Sequence, residues 1–222
     1  MVTSSDGLVV DQLVAAIGTR HLWGPLDVRV PPGGSLAVVG PNGSGKSSLL
    51  ACLGGLRPPQ SGSVRWRGTT LTGARRRTHQ RFLRDDCGIV LQEGSLVPDW
   101  TVRRNVDVVR PSGVSRRERA RRVEGALTRL ELADRAPDVL TQLSGGERQR
   151  VTAARLLVQQ PSLVVADEMT SALDPEGRRS VLDALASLRD RGAVVVLATH
   201  DDAVTRWCGQ VLELPGGDLH QV

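Results

Sequence analysis

Short apolar runs alternate with segments of helical periodicity along most of the chain. The apolar runs have the length of strands, and several are continuous rather than alternating, which is typical of strands buried on both faces. Because strands alternate with helix-length segments, the pattern predicts βαβ units and a largely parallel sheet. The sequence therefore predicts an α/β fold with a small strand-rich portion at its start. Strands are predicted at 8–14, 26–30, 35–39, 63–66, 87–91, 163–166 and 193–199.

Helix start and stop signals occupy the intervals between these strands. Ser115 and Glu118 form an S-x-x-E capping box ahead of apolar residues at helical spacing. A second helix is predicted from about 146 to 160, because Pro161 cannot continue it. Asp174 is the predicted N-cap of a third helix, with proline at the first helical position.

Polar residues follow three of the predicted strands directly. Gln92 follows the first, Asp167 and Glu168 end the second, and His200 follows the third. In open α/β sheets ligands bind at the carboxyl ends of the strands. The sequence therefore predicts a polar site along this edge of the sheet.

The composition narrows the classes of function. Of the 222 residues 40% are hydrophobic, and the formal net charge is +5. The arginines are scattered among acidic residues rather than clustered, so we expect no nucleic-acid partner. No apolar run approaches the roughly 18 residues of a membrane span, and the polar start of the chain lacks the pattern of a signal peptide. Three isolated cysteines are typical of buried thiols in a reducing compartment. We therefore expect a soluble cytoplasmic protein, so any role at a membrane requires a separate subunit.

A glycine-rich loop between the strand at 35–39 and a helix predicted at 46–53 matches G-x-x-x-x-G-K-[ST]. Such a loop wraps successive backbone N–H groups around phosphates, and the helix dipole adds positive potential. Lys46 is the one lysine among 29 basic residues, and it falls where the motif demands lysine. Its compact ammonium suits the β- and γ-phosphates, and Ser47 suits Mg²⁺. The predicted nucleotide-binding residues of the loop are Gly40, Pro41, Asn42, Gly43, Ser44, Gly45, Lys46, Ser47 and Ser48.

The second phosphate element is the strand that ends in Asp167 and Glu168. An Asp at a strand end near a phosphate loop holds Mg²⁺, directly or through water. An adjacent Glu can orient or deprotonate an attacking water. Guanine-specific enzymes with the same loop read the base with Asn-Lys-x-Asp, and a chain whose single lysine is Lys46 cannot contain that motif.

The segment Leu143-Ser144-Gly145-Gly146-Glu147 precedes the Asp167-Glu168 strand and opens a predicted helix, so its N–H groups and the Ser144 hydroxyl suit an anion. In this order the motifs resemble those of the ABC ATPase family, whose LSGGQ or LSGGE signature lies in this place. The resemblance covers essentially the whole chain. It implies one ABC ATP-binding domain over 1–222, a P-loop fold with a mostly parallel core, a small N-terminal antiparallel portion and a helical subdomain at about 93–159.

The resemblance also implies roles for single residues. Gln92 would contact the phosphate and metal, which gives Ser47, Gln92 and Asp167 as the Mg²⁺ ligands. Glu168 would act as the catalytic base, and His200 would contact the γ-phosphate. Ser171 and Asp174 would belong to the D-loop.

The same family resemblance implies an assembly. Two subunits, in a homodimer or in a pseudo-symmetric dimer with another ATP-binding subunit, would sandwich two ATP molecules. Each ATP would lie on one phosphate loop and under the other subunit's signature. A transmembrane permease subunit would bind near the segment 93–106, which would place the protein on the inner face of the cell membrane.

Three positions depart from the family pattern. An aromatic residue normally stacks on adenine, but Ile17 occupies that position, and Trp23 nearby falls on the next predicted strand, where packing is the favoured interpretation. Met169 stands where the family usually has Pro, and Arg104 stands where Glu is common. These departures put nucleotide affinity and coupling in question rather than hydrolysis.

The function predicted from the resemblance is ATP hydrolysis that powers a transporter. The arginine-rich stretch before Gly88, the 93–106 region and the S-G-G-E variant are similar to ATPases of lipoprotein-release, macrolide-export and peptide-export systems, so we expect an exporter. The main alternative is an ATPase that regulates cell-envelope machinery without transport. Translation factors of the family carry two cassettes and its DNA-repair ATPases carry long insertions, and neither feature is present.

Overall fold

The computed structural model describes residues 7–17, 20–91, 96–215 and 218–221; the side chains at 17, 20, 21 and 219–221 fall outside this description. A four-stranded antiparallel sheet forms one side of the molecule, in the order β2-β1-β4-β5. Its strands are β1 (Leu8–Ile17), β2 (Arg20–Val30), β4 (Ser61–Trp66) and β5 (Thr69–Thr70). The first two strands extend further than predicted because β1 and β2 pair over nearly their whole length.

A six-stranded sheet forms the centre of the fold. Its strands are β3 (Ser35–Val39), β6 (Cys87–Val90), β7 (Leu163–Asp167), β8 (Val194–Ala198), β9 (Gln210–Glu213) and β10 (Asp218–Gln221). They lie in the order β10-β9-β3-β8-β7-β6, and all neighbours are parallel except β10 and β9. The predicted α/β fold with a mostly parallel core and a small antiparallel portion is confirmed.

Helices follow most strands and cover the central sheet. They are α1 (Lys46–Leu53), α2 (Arg76–Arg81), α3 (Val102–Asp107), α4 (Arg116–Arg129), α5 (Gly145–Gln159), α6 (Pro175–Arg189) and α7 (Asp202–Trp207), with a π-helical turn at Phe82–Asp86 and a 3-10 turn at Leu140–Gln142. Helices α3, α4 and α5 pack on one another, within the segment expected to form the helical subdomain. None of the helices in the described parts of the chain is long and apolar enough to cross a membrane.

The central sheet has a hydrophobic core on each face. Along β7, Val164 and Ala166 join the core shared with helices α3 to α6, whereas Leu163 and Val165 join the core shared with α1 and the antiparallel sheet. Strand β8 alternates in the same way. Burial on both faces explains the continuous apolar runs that predicted these strands.

The predicted helix caps form, with one difference. Asp174 accepts a hydrogen bond from the Gly177 N–H at 2.8 Å, and Ser115 accepts one from the Glu118 N–H at 3.2 Å. The box at Ser115 is not reciprocal, because the Glu118 carboxylate pairs with Arg121 and Arg122 instead. Paired guanidinium groups one turn away outcompete a single backbone N–H for this carboxylate.

Candidate nucleotide site

The glycine-rich loop joins the end of β3 to the start of α1, and two of its glycines are sterically required. Gly40 has φ 140°, and a Cβ there would lie 2.2 Å from the Leu214 carbonyl oxygen. Gly45 has φ 96°, and a Cβ there would lie 2.5 Å from Nε1 of Trp23. Only glycine combines this backbone conformation with so close an approach. Leu214 on one side and Trp23 on the other therefore hold the loop in its curved shape.

Lys46 is the first residue of α1 and is 8% exposed. Its ammonium donates hydrogen bonds to the carbonyl oxygens of Gly40, at 2.8 Å, and Pro41, at 3.1 Å. The side chain therefore lies over its own loop, with the charge fixed at the loop's mouth. A phosphate that enters the loop meets this charge already in place.

Ser47 and Asp167, 120 residues apart, meet at the edge of the central sheet. The Ser47 hydroxyl donates to Oδ2 of Asp167 at 2.5 Å, and Asp167 is 6% exposed at the end of β7. A hydroxyl and a carboxylate oxygen are ligands that Mg²⁺ accepts. In the described ranges no three His, Cys, Asp or Glu side chains are close enough to hold a metal alone. The pair therefore fits a Mg²⁺ ion that takes its remaining ligands from phosphate and water.

Glu168 and His200 face each other beside this pair. Oε1 of Glu168 lies 3.7 Å from Nε2 of His200. This oxygen is buried and has no hydrogen-bond partner in the described part of the chain. Burial raises the pKa of the Glu168 carboxyl above its usual value, and the nearby His200 opposes that rise. A carboxylate that is short of hydrogen-bond donors is a stronger base than one in water.

These groups line a single cavity of about 600 Å³ at the carboxyl ends of β3, β7 and β8. Gly40, Pro41 and Ser44 belong to the loop but do not line the cavity, and Gln92 lies outside the described residues. Leu22, on β2, also lines the cavity, and no motif in the sequence indicates this. The lining residues are Leu22, Asn42, Gly43, Gly45, Lys46, Ser47, Ser48, Asp167, Glu168, Ser171 and His200.

The S-G-G-E segment forms the N-terminus of α5, and none of its residues lines the Lys46 cavity. Ser144, Gly146 and Glu147 line a separate hollow of about 240 Å³ together with Asp174. In one chain the glycine-rich loop and this segment therefore do not share a site.

A reciprocal capping box closes the start of α5. The Ser144 hydroxyl accepts from the Glu147 N–H at 3.1 Å, and the Glu147 carboxylate accepts from the Ser144 N–H at 2.8 Å. The backbone hydrogen bond from Ser144 is the main cause of the lowered pKa of Glu147. The predicted use of the Ser144 hydroxyl for an anion thus competes with the cap, while the N–H groups of Gly145 and Gly146 take no part in the box.

Residues 24–171 match the family model described as ABC transporter. The match includes the glycine-rich loop, the S-G-G-E segment and the Asp167-Glu168 strand end, in the order predicted from the sequence. The chain belongs to the ABC transporter family.

Two curated relatives show how far this similarity extends. An uncharacterized ABC transporter ATP-binding protein of Mycobacterium tuberculosis is 38% identical over 213 residues, which are 96% of this cassette and 64% of that protein. The macrolide export ATP-binding/permease protein MacB of Marinobacter nauticus is 37% identical over 195 residues, 87% of this cassette and 30% of that protein. The cassette thus spans less than two thirds of the length of these relatives.

A solved structure gives the same result for the fold. The dimeric ATP-binding cassette MJ0796, in a post-hydrolysis state bound to ADP and Pi, superposes with a TM-score of 0.86 and 28% identity. The alignment covers 96% of this cassette and 98% of that chain. The central sheet and its helices therefore have the arrangement of an ABC cassette.

The cassette's departures from the family pattern have structural explanations in part. Trp23 is 4% exposed and donates from Nε1 to the Gly45 carbonyl at 3.3 Å. It therefore packs beneath the loop, which agrees with the packing role favoured from the sequence. Met169 is 4% exposed and packs in the core that the central sheet shares with helices α3 to α6. Arg104 stacks on the Trp100 ring, 4.0 Å from its centroid. The Ile17 side chain lies outside the described residues.

Proposed function

We propose that this cassette binds and hydrolyses ATP as the energy-coupling subunit of an ABC transporter. The observation that carries the proposal is the convergence of three strand ends on one cavity. Strand β3 brings the Lys46 loop, β7 brings Asp167 and Glu168, and β8 brings His200. A phosphate cradle, a pair of metal-compatible oxygens and a carboxylate able to accept a proton, within one cavity, are what hydrolysis of a nucleoside triphosphate requires.

Each group has a distinct task in this mechanism. The loop N–H groups and the Lys46 ammonium hold the phosphates. Ser47 and Asp167 would hold Mg²⁺, which neutralises charge that develops on the phosphate oxygens. Glu168 would take the proton of the attacking water, with Oε1 free to accept it. His200, opposite Glu168, would donate a hydrogen bond to the γ-phosphate, and Gln92 would complete the metal and phosphate contacts.

The proposal includes a dimer. The S-G-G-E segment opens a hollow separate from the Lys46 cavity, so one chain alone does not bring both to the same ATP. Two chains related by a two-fold axis would each supply the missing half of the other's site. The relative MJ0796 is dimeric with ADP and Pi bound. The second subunit would be an identical chain or another ATP-binding subunit.

The membrane partner and the direction of transport belong to the same proposal. A transmembrane permease subunit would bind near 93–106, with the cassette peripheral on the inner face of the membrane. Export is the proposed direction, supported by the similarity to a relative named as a macrolide exporter. Copurification of a membrane subunit followed by substrate flux in vesicles tests this part. ATP-dependent regulation of that subunit without flux would favour a cell-envelope regulator instead.

The hydrolysis itself is tested by substitution of the single lysine. Lys46→Met removes the buried charge, and Lys46→Arg keeps the charge but adds bulk in a loop where the ammonium already fits between two carbonyls. Both variants should lose ATP hydrolysis. Arg110→Met, which removes one exposed positive charge, should hydrolyse ATP like the wild type. Wild-type hydrolysis rates in Lys46→Met would exclude the proposed site.

A further inference from the structure

The side-chain amide of Gln149 ties helix α5 to the segment that follows β7. Its Nε2 donates to the Glu168 carbonyl oxygen at 3.0 Å and to the Ser171 hydroxyl at 3.1 Å. Its Oε1 accepts from the Ala172 N–H at 3.0 Å. Both donor hydrogens and the acceptor of one amide are therefore used on a single five-residue segment, 168–172.

That segment has reason to need support. Glu168 is a non-glycine residue with φ 49°, a left-handed conformation that persists only where neighbouring contacts enforce it. Its N–H donates to the Ala198 carbonyl at 3.1 Å on one side. On the other side its carbonyl oxygen accepts from the Ser171 hydroxyl, at 3.0 Å, and from Gln149. The direction of the Glu168 side chain therefore depends on bonds made by its own backbone.

The start of α5 also packs directly on this segment. A Cβ at Gly146 would lie 2.9 Å from the Ala172 carbonyl oxygen, and a Cβ at Gly145 would lie 3.3 Å from the Ala172 Cβ. The two glycines of the S-G-G-E segment thus permit close contact within the same chain. Gln149 lies one turn further along the helix and fixes the distance and register of that contact.

We propose that Gln149 is a positioning residue that holds the Glu168 backbone and the 171–172 segment against helix α5. It acts through Glu168 and touches no reacting atom. The catalytic consequence rests on the proposed function, because it concerns the carboxylate that would take the proton from water. A displaced base loses its alignment with the water, whereas the phosphate loop on α1 is unaffected.

The test compares Gln149→Met with Gln159→Met in the full-length protein. Methionine keeps the length of the side chain but makes none of the three hydrogen bonds. Gln159 lies at the other end of the same helix, where its amide donates to the Cys87 carbonyl at 2.9 Å, so it is a matched control. For Gln149→Met we expect kcat to fall about tenfold or more. We expect KM and the ATP Kd to stay within about twofold, because the phosphate contacts remain.

Amide hydrogen exchange provides a readout that does not depend on hydrolysis. The Ala172 N–H should exchange about tenfold faster in Gln149→Met than in wild type, because its hydrogen-bond acceptor is gone. Gln159→Met should leave Ala172 exchange and kcat as in wild type. If wild type itself does not hydrolyse ATP, the proposed function fails while the exchange of Ala172 still decides the role of Gln149.

Two results would overturn the proposal. Unchanged Ala172 exchange in Gln149→Met would mean that the amide does not hold the segment. Equal losses of kcat in Gln149→Met and Gln159→Met would mean that both act through the stability of α5 rather than through Glu168.

Discussion

The surroundings of Trp23 indicate how much stability its substitution should cost. Its side chain is 4% exposed, packs in the core beneath the glycine-rich loop and donates to the Gly45 carbonyl. Truncation of a buried tryptophan costs about 3–5 kcal/mol. We expect Trp23→Ala to lose about that much of the free energy of unfolding, a large part of the roughly 5–15 kcal/mol of a typical domain. Trp23→Phe keeps most of the ring but loses the donor, so it should lose about 1–2 kcal/mol.

Urea denaturation measures these losses of stability. Nucleotide titration of the folded variants then shows whether Trp23 supports the glycine-rich loop or stacks on adenine. A tryptophan that stacks on adenine would contribute roughly 1–3 kcal/mol to ATP binding and little to the fold. A supporting tryptophan behaves in the opposite way, so Trp23→Phe should bind ATP with an affinity within about threefold of wild type. If Trp23→Ala unfolds like wild type yet loses ATP affinity tenfold or more, Trp23 stacks on adenine and does not support the loop.

Three further predictions concern the helix cap at Glu147, two glycines on helices, and recognition of the purine base of the nucleotide. Glu147 has a lowered folded pKa, so its stabilisation is present above the ordinary Glu pKa of about 4.3 and is lost as pH falls through the folded value. Glu147→Gln should therefore be less stable than wild type by about 0.5–1 kcal/mol at pH 7, and acid unfolding curves should show this difference shrink as the pH falls below about 4.3. Gly125→Ala, in open space on α4, should raise stability by about 1 kcal/mol, whereas Gly146→Ala should lower it because its Cβ meets the Ala172 carbonyl; thermal unfolding measures both. Because no Phe, Tyr or Trp side chain is among the described residues that line the Lys46 cavity, ATP and GTP affinities should lie within about tenfold, or ~1.4 kcal/mol. Ile17→Tyr should tighten ATP binding in a titration with kcat unchanged, and strong rejection of GTP by wild type would contradict this.

The parts of the site that the sequence could predict are those set by local rules. The Lys46 loop and the Asp167 strand end are each recognised from a motif of fewer than ten consecutive residues. The βαβ pattern then places strand ends at one edge, which is enough to expect that Lys46, Ser47 and Asp167 meet. The same pattern put Trp23 on a strand and so favoured packing over contact with adenine.

The parts that the sequence could not predict depend on contacts across the fold or on competing partners. Gln149 bonds to Ala172 only because α5 packs on the segment 168–172 that follows β7, and nothing local to either segment indicates this. Ser144 and Glu147 carry the S-x-x-E signal of a capping box, but the same residues also match an anion-binding motif, and the sequence alone does not decide between the two. At Ser115 the same signal predicts a reciprocal box, but two arginines bind the Glu118 carboxylate and prevent it from closing.

The central claim is that two subunits hydrolyse ATP bound between them. Its most direct test is to measure the molar mass of the Glu168→Gln variant in solution with and without Mg·ATP. The substitution removes the proposed base but keeps the shape of the ATP site, so hydrolysis should fall at least ~10²-fold. The unhydrolysed nucleotide, bound across two subunits, favours association. Light scattering should then give twice the 23.8 kDa of one chain with ATP and a monomer without it. Hydrolysis of ATP by the variant at the wild-type rate would contradict the account, and a variant that saturates with ATP yet remains a monomer would exclude a homodimer of this cassette.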